Sequence, residues 1–376
     1  MALATDSNKV SDEDVWCGVN ALLDDYIGIS LSDIIIIGYT PDSREAAAWV
    51  RLALDARSIK YKSIHMQPLR DSGFRDRLIK LLPSIPPQKG RLVLILFERD
   101  TISHNEVIKE VICDYNKNQY FVVRSINSDR HLFAKGLSVT PKKLTALNTA
   151  ILERCISAKK LRITTPSGTD LSIDLDSRYR WVSNKGTVED GKFLIIPCGE
   201  VATFPANISG ILVADFAINV NTMLDIDARL NQEPVFVNID NGQMISFQCK
   251  NKEMSDYLSR AFSRNNATRV GELGIGTNIS VDNPIYENSH LNERCPGVHI
   301  GFGQHNQDIE TAGYFCDIHI DLIARGGLIW IDDQPNPIDL ANLQESKNKH
   351  PDLILCEDIF STDNFEGDCC GIVTTN

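Results

Sequence analysis

The stretch DIIIIGYTPDSREAAAWVRLALDARS, residues 33–58, decides how the chain is read. It opens on an unbroken apolar run, Ile34 to Ile37, closed by Gly38. A strand with one wet face alternates polar and apolar residues, so an unbroken run points to a strand covered on both faces. After the turn, Asp42 and Glu45 stand at capping-box spacing ahead of Ala- and Leu-rich residues that favour a helix. Strand, turn and helix in that order open a crossover unit. The same grammar repeats. IKYKSIHM (59–66) and RLVLILFE (91–98) read as strands, a helix is expected from Ser103 with Glu106 completing its cap, and QYFVVRSI (119–126) reads as the next strand. Thr140 caps a further helix, with Pro141 in its first turn and Leu144, Leu147, Ile151 and Cys155 on one face. Residues 1–160 are therefore expected to form a Rossmann-like α/β domain around a parallel sheet. Its first turn, IIGYTPDSRE, has one glycine where a dinucleotide cradle needs G-x-G-x-x-G, so the domain reads as scaffold.

The texture changes near residue 160. LRITTPSGTDLSIDL (161–175) is an alternating hairpin about a Pro-Ser-Gly-Thr-Asp turn, and short β runs follow, interrupted by a helix over 252–264. Residues 161–376 are expected to form a β-rich α+β domain, with an acidic tail over 357–376 that holds Cys369 and Cys370.

Bulk properties narrow the function classes. The chain has 376 residues, 43% hydrophobic and 23% charged, enough for a sizeable core. Its net charge is −12 and it has no basic block, which argues against nucleic acid and anionic membranes as partners. The start, MALATDSNKVSDEDVW, lacks the apolar core of a signal peptide, and no apolar run approaches the length of a bilayer span. Ten scattered cysteines without C-x-x-C read as thiols in a reducing, cytoplasmic setting.

Chemistry gathers in the last half. In YFCDIHIDL (314–322), Ile318, Ile320 and Leu322 share one parity while Asp317, His319 and Asp321 share the other. GVHIGFG (297–303) repeats the pattern, with His299 flanked by glycines that clear space around it. Four of the eight histidines, His290, His299, His305 and His319, fall within thirty residues. Glu272 in VGELGIGTN and Glu200 in LIIPCGEVATFP are carboxylates set in apolar strands. Burying an unpaired carboxylate costs several kcal/mol, roughly the whole margin of a folded domain, and a metal or another cation removes that cost. Each residue alone has an ordinary explanation: a solvent-facing histidine, a turn glutamate, an Asp paired to a His. Together, imidazoles and carboxylates presented by four apolar segments suit Zn²⁺, Mn²⁺, Co²⁺ or Fe²⁺. No nucleophile elbow, H-E-x-x-H helix or Walker loop is present. Cys295 and Cys316 flank the histidines but read as small buried residues rather than nucleophiles.

GEV-x-T-x-P, GELGIGTN, VHIGFG and HID, in that order, resemble the M29 metallopeptidases, the thermophilic leucyl-aminopeptidase family. The resemblance spans about residues 30–330. It implies a homodimeric metalloenzyme in which Glu200, Glu272, His299, His319 and Asp321 hold one or two divalent ions, with Zn, Co or Mn expected. The family's tyrosine ligand, seven residues after the first histidine, is replaced here by Asn306, preceded by His305, and these two are expected to face substrate. Three functions follow from these residues. The first is hydrolysis of a peptide or small-molecule amide by metal-activated water, with Glu200 or Glu272 as general base. The second is ring cleavage by one Fe(II) held by His299, His319 and Asp321, since non-peptidase members of the scaffold resemble dihydroxypyridine dioxygenases. The third is a catalytically silent protein that binds a peptide or small molecule at the old site. Loops such as 281–296 are expected to set the substrate, and Asp317 to lie outside the ligand set.

Overall fold

In the first half of the chain, the unbroken apolar runs become strands whose alternate residues enter two different cores. The computed structural model describes residues 10–99, 102–187, 193–222, 224–351 and 354–355, so the acidic tail and its cysteine pair lie outside the described residues. Parallel strands β1 (Ile34–Tyr39), β2 (Tyr61–His65), β3 (Leu92–Phe97) and β4 (Tyr120–Ser125) lie in the order β2-β1-β3-β4. Ile35, Ile37, Val93 and Ile95 pack with Val50 and Leu54 of the helix Arg44–Ala56 on one face. Ile36, Leu92 and Leu94 meet Phe74, Leu78 and Ile108 of two other helices on the opposite face. Each fully buried Ile or Leu contributes roughly 1.5–3 kcal/mol, which is why both faces of this sheet must be covered.

Two expected helix caps differ in detail. Thr40, not Asp42, forms the capping box, with Ser43, ahead of the helix. The helix expected from Ser103 starts at Asn105, because the Ser103 amide and hydroxyl donate to the buried Glu98 carboxylate instead, at 2.7 and 2.6 Å. Burial makes that carboxylate a stronger claimant than a helix end open to water.

The remaining strands are β5 (Lys160–Thr164), β6 (Asp170–Asp174), β7 (Trp181–Asn184), β8 (Phe193–Ile196), β9 (Glu200–Thr203), β10 (Asn207–Ala214) and β11 (Ala217–Val220). They continue with β12 (Val235–Asp240), β13 (Gln243–Gln248), β14 (Val270–Gly276), β15 (Gly297–Gly303), β16 (His319–Arg325), β17 (Leu328–Ile331), β18 (Ile338–Asp339) and β19 (Ile354–Leu355). Strand β8 does not stay with its sequence neighbours. It pairs parallel with β4 and becomes the fifth strand of the first sheet. The others form two sheets, β13-β12-β10-β6-β5-β17-β18 and β11-β16-β15-β14-β9-β7-β19. One core lies between them: Ile163, Ile173, Leu212 and Ile331 of the first sheet against Ile275, Val298, Ile300, Ile320 and Leu322 of the second. The chain is thus an α/β molecule with one parallel five-stranded sheet and two largely antiparallel seven-stranded sheets. No described helix is long and apolar enough to cross a membrane.

The other face of the second sheet carries polar groups beside a small apolar cluster of Ala217, Ile323, Leu291 and Cys295. The connection from Thr277 to Pro296 crosses that face, and its short turn Asn292–Arg294 packs on β11, β14, β15 and β16. Asn278 anchors it by donating to the carbonyls of Gly136 and Cys198.

Candidate metal centre

The site is built by register. Across the central antiparallel strands, Asp321 of β16 pairs with Gly301 of β15, and His319 with Gly303. Glu272 of β14 also pairs with Gly301, His299 of β15 with Gly274, and Glu200 of β9 with Gly276. Each of the five expected ligands therefore has a glycine beside it on a neighbouring strand, and two of them, Gly301 and Gly274, clear space for the ligand side chains themselves. A Cβ on Gly301 would lie 2.6 Å from His319 Cε1 and 2.8 Å from Glu272 Cβ. One on Gly274 would overlap the His299 ring.

The structure brings Glu200, Glu272, His299, His319 and Asp321 together on one face, with side chains only 1–7% exposed. Glu200, Glu272 and His299 each direct one ligand-type atom into a group within 4.8 Å of one another. The Glu272 carboxylate spans the two imidazoles: Oε1 lies 3.8 Å from His299 Nε2 and Oε2 lies 3.8 Å from His319 Nε2. Those separations are too long for hydrogen bonds. They are close to the roughly 3.0–3.4 Å between neighbouring ligands that a metal–ligand distance near 2.1 Å implies. Glu272 Oε2 is buried with no hydrogen-bond partner among the described residues. His319 Nδ1 donates to the Gln304 carbonyl at 2.6 Å, which turns Nε2 toward Glu272 and Asp321. That is the outer hydrogen bond by which metal-binding histidines are oriented. The donor set, its convergence and the orphaned carboxylate oxygen fit a divalent ion.

The other residues read from the sequence fall outside this cluster. Asp317 meets Arg264 at 3.3 Å on the surface, because β16 starts at His319 and not at Tyr314 as the alternation suggested. Tyr314 instead turns its hydroxyl to the Gly303 carbonyl at 2.9 Å. His305 spends both ring nitrogens on its own loop: Nε2 donates to the Tyr314 carbonyl at 2.7 Å and Nδ1 accepts the Gln307 amide at 3.3 Å. Asn306 is buried, and its Oδ1 accepts from Gln307 at 2.7 Å.

The 277–296 connection adds three groups that sequence reasoning did not assign to the site, and β11 adds a fourth. Glu293 and Arg294 are buried at its turn. Arg294 ion-pairs with Glu200, reaches Glu293 at 3.1 Å, and donates from Nε to the Pro197 carbonyl at 3.1 Å. Asn219 of β11 donates to Glu293. His290 is buried, and its Nδ1 donates to Asn127 at 3.0 Å. Nothing local in SHLNERCP marks these residues, since their place comes from a connection laid across the sheet. The clustering of His290 with the other histidines was the only available signal.

Electrostatics separate the groups. Burial raises the Glu200 carboxyl, but Arg294 and His299 outweigh it and hold the group below its usual range. Burial, and then the Asp321 charge, push the Glu293 carboxyl well above its usual range. Burial works against charge on His319, yet Asp321 and Glu272 raise it to about 10. Glu200 and Glu272 likewise raise His299. Burial, then Arg294, lower His290 to about 4. A divalent ion bound here would compete with protons for His299 and His319. His290 also lines a cavity of about 380 Å³ with Arg99, Asn127, Tyr286 and Asn288, where the two domains meet.

Comparison with known proteins finds this fold elsewhere. Residues 207–326, which hold β11, β14, β15 and β16, match the family model of the crocagin biosynthetic protein CgnE/B. The structure is similar to that of 2,5-dihydroxypyridine dioxygenase from Pseudomonas putida KT2440, with a TM-score of 0.60 and 14% identity, over 91% of this chain and 99% of that one. It is also similar to AmpT from Thermus thermophilus, with a TM-score of 0.50 and 13% identity, over 88% and 99% of the two chains. No curated protein sequence matches. The resemblance read from the motifs thus extends to an M29-like fold, which the dioxygenase shares.

Proposed function

We infer that the chain is a metal-dependent enzyme that cleaves an amide bond in a peptide-like substrate. The observation that supports this reading is the buried Glu272 carboxylate, spread between the Nε2 atoms of His299 and His319 with one oxygen unpaired. Glu272, His299, His319 and Asp321 would hold the ion. A bound divalent ion would polarise a carbonyl and lower the pKa of water toward ~7. Gln304 fixes the His319 ring, and the glycines of β14 and β15 leave space for both imidazoles. Glu200, oriented by Arg294 and 2.9 Å from His299 Nε2, is the carboxylate placed to take a proton from that water. The match of residues 207–326 to a biosynthetic protein family supports a specialised biosynthetic substrate.

The test is metal analysis of protein purified without chelator, with amide cleavage followed on a panel of aminoacyl anilides. His319→Ala should lose the ion. Glu200→Gln should keep it and cleave about 10²–10⁴-fold more slowly, the usual worth of a positioned base. Unchanged metal content in His319→Ala would show that the ion, if present, sits elsewhere.

The composition of the cluster supports a second reading. His299, His319 and Asp321 form a two-histidine, one-carboxylate set suited to Fe(II). Iron-loaded protein that consumes oxygen with a dihydroxypyridine, and cleaves no anilide, would select that reaction over hydrolysis.

A further inference from the structure

The cluster holds more negative charge than one ion needs. Four carboxylates, those of Glu200, Glu272, Glu293 and Asp321, are buried around the same sheet face. They divide into two halves. Glu272 and Asp321 face the imidazoles, with Asp321 Oδ1 3.1 Å from His319 Nε2. Glu200 lies between the two halves, 2.9 Å from His299 Nε2 and ion-paired with Arg294, whose guanidinium is 3% exposed and also reaches Glu293. Arg294 already places a fixed positive charge in the Glu200–Glu293 half, so a second divalent ion there would sit directly beside a guanidinium.

Resting on the reading of the cluster as a metal site, we propose that Arg294 is a built-in cation that fills the Glu200–Glu293 half of the site and limits the chain to one ion. Several features support this role. An arginine keeps its charge even in a buried setting, and its planar fork can serve two carboxylates at once. Its Nε is tied to the Pro197 carbonyl at the end of β8, a strand of the other domain's sheet, so the guanidinium is fixed from a second direction. Glu293, the residue before it, is held by Asn219 of β11. Removing the guanidinium would leave Glu293 without a cationic partner and Glu200 with His299 alone, an arrangement that favours entry of another cation. A divalent ion is a compact cation that a pair of buried carboxylates can take up.

The experiment counts ions. Chelator-stripped wild type, Arg294→Gln, Arg294→Met and Arg294→Lys are dialysed against Mn²⁺ and, separately, Zn²⁺, and metal per chain is measured by mass spectrometry. The neutral variants should bind one ion more than wild type, rising from one to two, and Arg294→Lys should match wild type. If the neutral variants fold only in the presence of ion, recovery of the native circular dichroism spectrum on adding Mn²⁺ or Zn²⁺ supports the role equally. The proposal is overturned if folded neutral variants bind no more ions than wild type, if wild type already binds two, or if the neutral variants stay unfolded at saturating ion. Wild type with no ion at all would sink the metal-enzyme reading, while the difference between wild type and the neutral variants would still decide the role of Arg294.

Discussion

Gly301 shows how the site depends on atoms that are missing. It pairs with both Asp321 and Glu272, and a Cβ there would meet His319 and Glu272 together. Either neighbour could yield only by shifting one of the proposed ligands. Gly301→Ala is therefore expected to leave the fold intact and weaken metal binding by about 10–100-fold, the usual effect of misplacing a supported ligand. Titration with Mn²⁺ followed by calorimetry checks it, and unchanged affinity would mean that the imidazole has slack the register does not suggest. At this scale much of the site was legible. His299, His319, Asp321, Glu272 and Glu200 stood out because a polar residue in an apolar strand needs a physical reason. Arg294 and Glu293 did not, because charged residues in a turn need none until the turn is buried.

Among the elements, β3 and β4 carry the most consequential pair outside the metal site. Arg124 is fully buried on β4 and donates to Glu98 at 2.6 Å, as well as to Asn105 and the Ser103 carbonyl. Burial lowers the Arg124 pKa and raises that of Glu98, so the pair is held together against desolvation by mutual attraction. Arg124→Met should destabilise the protein by about 3–5 kcal/mol in urea unfolding, because it leaves Glu98 buried and unpaired. Adding Glu98→Gln should recover more than half of that, since glutamine still accepts from Ser103 without a charge. No recovery would show that packing, not charge, sets the cost. This pair also explains the misread helix start: Ser103 is an ordinary capping residue in sequence, but the buried carboxylate claims it. Strand positions were easier to read, because unbroken runs such as Leu92–Phe97 have no other stable home than a sheet covered on both faces.

For the molecule as a whole, the proposed ion would link metal binding to folding. An ion that binds only the folded chain stabilises it by about 2.7 kcal/mol at a hundred times its dissociation constant. Adding Mn²⁺ to chelator-treated protein should raise the thermal midpoint by several °C. It should also slow hydrogen exchange in β14, β15 and β16 while leaving β1 and β3 unchanged. Uniform protection would instead mean that the two domains unfold as one unit. Some coupling is built in: β8 crosses into the parallel sheet, and Asn278 and Arg294 return bonds from the metal face to Gly136, Cys198 and Pro197.

By itself the sequence determined the two kinds of layer, the strands that form them and the five side chains aimed at one face, because apolar periodicity and the cost of buried charge act locally along the chain. Tertiary structure alone decided that β8 leaves its neighbours, that a connection without a motif brings His290, Glu293 and Arg294 onto the site, and that one half of a carboxylate cluster is neutralised by a guanidinium. Those outcomes depend on which surfaces meet across long sequence separations, and no local pattern encodes the charge that arrives from the far side of a sheet.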